Sequence, residues 1–196
     1  GLFDFKEMKH LYNVDKKEFF VAMIALFGVL IFGILKGVLL ASIVTLVLLI
    51  KETSNPNVAS LGRIPGTRRY SDIERHPDNE IIPNILIVRI EASIFYFNIE
   101  NIKDNIWIKI NQSKSPISSV IIDMSSSPSI DIAGLRFLRQ LFLELKEKGV
   151  TLKIAEARSD VRDVLRIEKL DLLFGPISRF DSVDELVIES NMNKSV

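Results

Sequence analysis

No cysteine occurs among the 196 residues. That absence excludes a disulfide framework, a thiolate metal site and a thiol nucleophile. Histidine is scarce: His10 and His76 stand far apart, each near a turn, and read as surface residues. Neither sign of charge is in excess, with 25 basic and 25 acidic residues. Nucleic-acid binding is not expected, because phosphate contacts demand a surplus of Lys and Arg. The charged n-region, short apolar core and small-residue cleavage site of a signal peptide are also missing. The sequence starts on Gly rather than Met and is expected to be a piece of a longer or processed protein. No convergent cluster of His, Lys and carboxylates supports an enzyme or a metal site. The pair Asp123 and Asp131 lacks the partners that acid–base chemistry needs.

What the chain does have is one long apolar run. From Phe19 to Ile50, about thirty-two residues carry a single charge, Lys36. A straight helix of that length would reach roughly 48 Å, against a bilayer core of about 30 Å. Gly33, Lys36 and Gly37 cluster near the middle. A charge at the centre of a spanning helix costs about 2.5 to 3.5 kcal/mol, and a turn that carries Lys36 to the far interface relieves it. The expectation is a membrane hairpin of two short helices, about 17 and 13 residues long, with Gly33, Lys36 and Gly37 at the turn. Lys16 and Lys17 precede the run, and Lys51, Arg63, Arg68 and Arg69 follow it. Positive charge on both flanks places both ends on the cytoplasmic side. Gly28, Gly33, Gly37, Ala41 and Ser42 permit close helix approach and are read as contacts for helices outside this chain. Upstream, Leu2, Phe5, Met8, Leu11 and Tyr12 recur at helical spacing, which suits an interfacial or connector helix over residues 1–18.

Beyond Ile50 the composition changes. Asn55-Pro56-Asn57, Gly62, Pro65-Gly66, Pro77 and Pro83 mark residues 51–83 as an irregular linker. Residues 84–192 alternate strands with helices. Strands are expected at Ile85–Ile90, near Phe95–Phe97, at Val120–Asp123 and at Thr151–Ala155. Helices are expected over 99–112, 133–148 (ended by Gly149), 160–170 and 182–190, the last capped by Asp181 after an extended piece at Phe180. The pattern implies an α/β domain, a mixed sheet covered by helices.

Several motifs are recognisable together: Val14-Asp15-Lys16 before the apolar run, Asn55-Pro56, Leu61-Gly62-Arg63-Ile64-Pro65-Gly66-Thr67, Tyr70 and Pro77. They resemble the C-terminal end of sulfate permease (SulP) family anion transporters. Val88-Arg89-Ile90-Glu91, Phe95-Tyr96-Phe97-Asn98, Ile122-Asp123-Met124-Ser125 and Asp131-Ile132-Ala133-Gly134-Leu135 resemble the STAS domain that those transporters carry. The resemblance implies the last two transmembrane helices of a transporter, residues 19–50, joined to a cytoplasmic STAS domain. It implies an integral protein of the plasma or inner membrane that moves an inorganic anion of the sulfate or bicarbonate type, coupled to H+ or Na+. It further implies a homodimer, a cytoplasmic regulator on the STAS domain, and no other cofactor. Family members place the anion between broken helices of two inverted repeats, so no substrate-binding residue is assigned in this chain. A membrane-tethered STAS signalling module without transport is the alternative.

The loop with Ser125, Ser126, Ser127, Ser129 and Asp131 precedes a helix whose first turn includes Ala133 and Gly134. Free N–H groups there can hold an anion or phosphate, so this loop is the candidate regulatory or anion site. A capped turn, with Asp131 or Ser129 bonded to backbone N–H groups, is the simpler reading. In anti-sigma factor antagonists a Ser of the matching loop is phosphorylated; aligned on Asp131 and Gly134, that position is Ala133, which cannot be. Arg136 with Arg139, and Arg158, Arg162 and Arg166 among Asp160, Asp163 and Glu168, read as solvated helix faces or as contacts for a partner.

Overall fold

A computed structural model describes residues 5–192, so Leu2, part of the helix expected over residues 1–18, lies outside the described residues. The chain divides into two compact units, Gly1–Thr53 and Ser54–Val196.

The first unit holds α1 (Phe5–Val14), α2 (Lys16–Phe32) and α3 (Ile34–Thr53). Asp15 starts α2 by accepting hydrogen bonds from the backbone N–H of Lys17 and Glu18, at 2.7 and 3.3 Å. One residue makes the hairpin turn. Gly33 takes φ 82°, a conformation open to glycine, and its N–H closes α2 on the carbonyl of Val29. Lys36 and Gly37, expected in the turn, lie instead in the first turns of α3. The second helix is therefore 20 residues long, not 13, because a single glycine is enough to reverse the chain. Among the described residues α3 alone is long and apolar enough to cross a membrane. Lys36 still stands near the hairpin tip.

Two of the five small residues, Gly28 and Gly37, find a partner inside the hairpin and not in helices outside this chain. Gly28 and Gly37 are the buried residues of α2 and α3, and they face each other. A Cβ on Gly28 would lie 3.2 Å from the Gly37 Cα, and one on Gly37 would lie 2.6 Å from the Gly28 carbonyl carbon. Their lack of side chains lets the two backbones touch within the hairpin, a contact that small residues make available to membrane helices. At the open end, the Lys17 Nζ lies 3.2 Å from the Glu52 Oε1.

The second unit is a five-stranded sheet in the order β2-β1-β3-β4-β5, with β1 at Val58–Arg63, β2 at Tyr70–Asp72, β3 at Ile85–Ile90, β4 at Ser119–Asp123 and β5 at Thr151–Ala155. β1 runs antiparallel to β2 and β3, while β3, β4 and β5 are parallel. The helices are α4 (Ile99–Gln112), α5 (Ile132–Glu147), α6 (Ser159–Ile167), α7 (Asp171–Phe174) and α8 (Val183–Met192). β1, β3, β4 and β5 alternate between two cores. Val88, Ile90, Val120, Ile122 and Leu152 pack with Ile102 and Ile106 of α4 and Leu138, Leu141 and Leu145 of α5. Ala59, Leu61, Ile85, Ile87 and Ile121 pack with Val183, Leu186 and Val187 of α8 on the other side.

Four sequence expectations change here. Residues expected to form an irregular linker supply β1 and β2, because Gly62 marks a close approach and not a break. A Cβ at Gly62 would stand 2.9 Å from the Asn79 Cβ and 3.0 Å from the Glu80 carbonyl oxygen. The expected strand near Phe95–Phe97 is a turn beside a single bridge between Ile94 and Ile130. It is pinned by Asn98, whose Oδ1 accepts from the Phe95 N–H and whose Nδ2 donates to the Ser93 carbonyl. Finally, Ser182 caps α8 in place of Asp181. The Ser182 Oγ accepts from the Glu185 N–H and the Glu185 carboxylate accepts from the Ser182 N–H, a reciprocal capping box. Asp181 is turned to the backbone and hydroxyl of Ser178. The segment at Phe180 is a turn.

Candidate functional site

The parallel strands β3, β4 and β5 all end at one edge of the sheet, the edge where open α/β sheets gather their functional groups. Two groups of side chains lie there, one on each face.

The first is the serine loop. β4 ends at Asp123, and residues 124–131 lead into α5. Asp131 spans both sides of the loop: its Oδ1 accepts from the Gly134 N–H at 2.7 Å and its Oδ2 from the Tyr96 N–H at 2.9 Å. The carboxylate thus occupies the N-terminus of α5. Ser127 is buried and donates to the Ile90 carbonyl at 3.0 Å. Ser129 shares a hydrogen bond with Ser93, also at 3.0 Å, from an exposed position. Ser126 is exposed and Ser125 half-buried. Ala133 is partly buried in the first turn, and Gly134 lies against Ile94 and Ile130, where a Cβ would come within 2.9 Å of the Ile94 carbonyl oxygen. The loop is a capped, internally bonded turn on which Ser126 is exposed.

The second group was not anticipated. On the α8 face a cleft of about 250 Å3 is lined by Arg89, Asp123, Ser125 and Glu156 from the strand ends, Arg68, Arg69 and Tyr70 from β2 and the turn before it, and the start of α8. Arg89 stands opposite Asp123 in the parallel register. Its Nε donates to the Asp123 Oδ2 at 2.7 Å, while the Asp123 Oδ1 accepts from the Ser125 N–H at 2.8 Å. Asp123 is 1% exposed, so the pair satisfies a charge that would otherwise be costly to bury. Next to it, the Arg63 guanidinium donates to the Tyr70 hydroxyl at 3.0 Å and to the Asp184 Oδ1 at 3.3 Å, and Tyr70 donates to the same oxygen at 3.1 Å. Burial pushes the Tyr70 hydroxyl above its ordinary range, against the pull of Arg63. The Arg63 guanidinium is held more firmly protonated, first through its bond to Tyr70.

Glu156, just past β5, adopts a left-handed backbone at φ 55°. Desolvation first, and the Asp123 carboxylate second, raise its carboxyl above the ordinary value of 4.5, while a hydrogen bond from the Val183 N–H opposes that rise. Among the described residues no group of three or more His, Asp or Glu could hold a metal ion.

One signal for this cluster was visible: Arg89 interrupts the apolar run Ile85–Ile90, and Asp123 ends another such run. A charge inside a buried strand asks for a cross-strand partner. Asp184 and Glu156 carried no such signal, since Glu156 lies just past β5 and Asp184 in the first turn of α8, places where a carboxylate is ordinary. Two of the three arginines read as a stripe on α6, Arg162 and Arg166, serve the backbone. Arg162 donates to the Ala157 carbonyl, and Arg166 to the Ile177 carbonyl at 2.8 Å.

Residues 76–186 match the STAS domain family. The chain is 36% identical over 170 residues to "Probable sulfate transporter 4.2" of Arabidopsis thaliana, covering 82% of this chain and 25% of that protein. It is 30% identical over 195 residues to "High affinity sulfate transporter 1" of Stylosanthes hamata, covering 95% of this chain and 29% of that one. The fold is similar to the overall structure of SLC26A9, with a TM-score of 0.83 at 15% identity over 97% of this chain and 33% of that one. It is also similar to the murine Slc26a9 anion transporter in the inward-facing state, with a TM-score of 0.82 at 18% identity over 94% and 30%. The chain therefore spans about a quarter to a third of the length of the proteins it matches.

Proposed function

Because the chain belongs to the SulP family and carries its STAS domain, we propose that it works as part of a secondary active inorganic anion transporter. Its relatives are transporters, not enzymes. The α2–α3 hairpin anchors the chain in the bilayer with both ends on the cytoplasmic side, in keeping with the basic residues on both flanks. The STAS domain lies in the cytoplasm, where it supports a homodimer and regulates transport. The anion is of the sulfate or bicarbonate type, and its movement is driven by a proton or sodium gradient through alternating access. No residue of this chain is given a role in binding it.

The observation that carries this reading is the extent of the match. Likeness to a named sulfate transporter covers 95% of the chain, hairpin and domain alike, where a free-standing signalling module would share the domain alone. The hairpin's exposed apolar surface supports it, with Ile34 76% and Leu35 84% exposed. Such side chains require lipid or further apolar helices around them.

The test is uptake of labelled sulfate and bicarbonate into proteoliposomes holding the full-length gene product, under an imposed pH or sodium gradient. Gradient-dependent uptake is expected. Uptake of every small anion at the level of empty vesicles would overturn the proposal.

A further inference from the structure

The cleft on the α8 face lies where β3, β4 and β5 end, the place where open α/β sheets take small ligands. Its volume is about 250 Å3, and its charges balance: Arg68, Arg69 and Arg89 line it together with Asp123, Asp184 and Glu156. Most of these charges are matched within the fold. Asp123 takes the Arg89 Nε and the Ser125 N–H. Asp184 takes the Arg63 guanidinium and the Tyr70 hydroxyl, with the Arg68 Nε at 3.9 Å. The neighbouring acids Asp181 and Glu185 are bonded to Ser178 and Ser182.

Two groups of opposite sign keep open hydrogen-bonding capacity. Arg89 is anchored by its Nε, and its two Nη groups have no partner among the described residues. Its side chain is 26% exposed, so the fork is held in place yet reachable from the cleft. Glu156 forms no ion pair among the described residues, and its carboxylate accepts a hydrogen bond from the Val183 N–H. The Glu156 N–H is bonded to the Asp181 carbonyl at 2.9 Å, which fixes the residue beside the start of α8. Arg89 and Glu156 feel each other's charge, but Arg89 comes last among the influences on the Glu156 carboxyl, behind desolvation and Asp123. They are neighbours that do not pair.

We infer that this cleft binds a small zwitterion of the α-amino-acid type, its carboxylate on the Arg89 Nη groups and its ammonium on Glu156. Such a ligand carries both charges on one carbon, a separation that two neighbouring, unpaired groups of opposite sign can meet together. The guanidinium offers the carboxylate parallel N–H bonds, and the contact with Asp123 keeps that fork from turning. Arg69 lines the same cleft, and its guanidinium, without a partner among the described residues, is a second donor for the carboxylate. A ligand of zero net charge also matches a cleft of zero net charge, where a plain anion would meet Glu156 at a cost. The inference goes beyond the transport reading and does not depend on it, because every residue it uses belongs to the sheet domain.

The experiment is saturation-transfer NMR on the full-length protein in lipid nanodiscs, with the common α-amino acids as probes, one at a time. Saturable transfer to at least one of them is expected. Its N-acetyl form, which lacks the ammonium, and its amide form, which lacks the carboxylate, should each bind roughly tenfold more weakly, as the loss of one charged hydrogen bond implies. The same loss is expected in Glu156→Gln and in the double variant Arg89→Met/Asp123→Leu. Glu156→Gln keeps the acceptor for the Val183 N–H, so the test stands even where the double variant does not fold. Anion uptake is not a readout, which keeps failure here distinct from failure of the transport assignment. No transfer to any amino acid, equal affinity for the acetylated or amide form, unchanged affinity in Glu156→Gln, or displacement of the amino acid by inorganic sulfate at constant ionic strength would overturn the inference.

Discussion

The hairpin and the sheet domain are built on opposite principles. The domain's strands and helices alternate between inside and outside, and two cores close around Ile122, Leu138 and Leu141 on one face and Ile87, Ile121 and Val187 on the other. The hairpin has no such division. Its side chains are apolar all round, and the buried residues of α2 and α3 are the two glycines that touch. The domain's sequence specifies its own interior. The hairpin's specifies one internal crossing and leaves the remaining surface to its surroundings.

A core truncation tests the first half of that contrast most severely. Leu138 of α5 is fully buried, and Leu138→Ala should cost the domain about 3 to 4 kcal/mol. The single tryptophan, Trp107, packs against the same core on α4 and serves as reporter. Urea titration followed by its fluorescence should show the midpoint fall sharply. A shift smaller than about 1 kcal/mol would mean that the core is not closed at this position.

Next in size is the buried charge at the strand ends. Asp123→Ala leaves Arg89 without its partner and the Ser125 N–H without its acceptor, a loss of about 3 kcal/mol by the same measurement. Replacing both members, as Asp123→Leu with Arg89→Met, should recover most of that loss. If the double variant is as unstable as the single one, the pair is not the source of the effect.

In the hairpin, Gly37→Leu should force the helices apart, an overpacking cost of about 2 kcal/mol. The protein has no cysteine of its own, so Lys17→Cys and Glu52→Cys can be bridged by a short bis-maleimide without background. Crosslinking should drop several-fold in the Gly37→Leu chain while the Trp107 unfolding curve stays in place. An unchanged yield would remove the Gly28–Gly37 contact from the hairpin's design.

The same contrast explains how far the sequence could be read. The domain's α5 was legible because Leu135, Leu138, Leu141, Phe142 and Leu145 share one stripe, and β4 because an apolar run ends on Asp123. The hairpin was legible as a hairpin, but its turn was not. Gly33, Lys36 and Gly37 are equal candidates on paper, and only the backbone conformation at Gly33 separates turn from packing. β1 was hidden for a related reason, since Gly62 and the nearby prolines carry the signature of a loop while serving a crowded strand. In the serine loop Asp131 announced its capping role. Of the cleft on the α8 face only Arg89 and Asp123 left a sequence signal, because the rest joins Tyr70, Glu156 and Asp184 from distant parts of the chain.

The smallest effect sits in that cleft and follows the charge of Glu156. Its carboxyl is raised in the folded protein above the ordinary value of 4.5, so the folded chain holds this proton more tightly than the unfolded one. The resulting stabilisation is complete below about pH 4.5 and is lost as pH rises through the raised folded value. At neutral pH the ionised Glu156 is held at a net cost, first by partial desolvation and second by the carboxylate of Asp123. Glu156→Gln keeps an acceptor for the Val183 N–H and removes the charge. It should therefore stabilise the domain at pH 7 by less than about 1 kcal/mol, since the residue is open to solvent and its interactions are screened. Below pH 4.5 the parent side chain is also neutral, and the two Trp107 unfolding curves should converge. A gain of equal size at both pH values would assign the effect to packing and leave the carboxylate pair without a role in it.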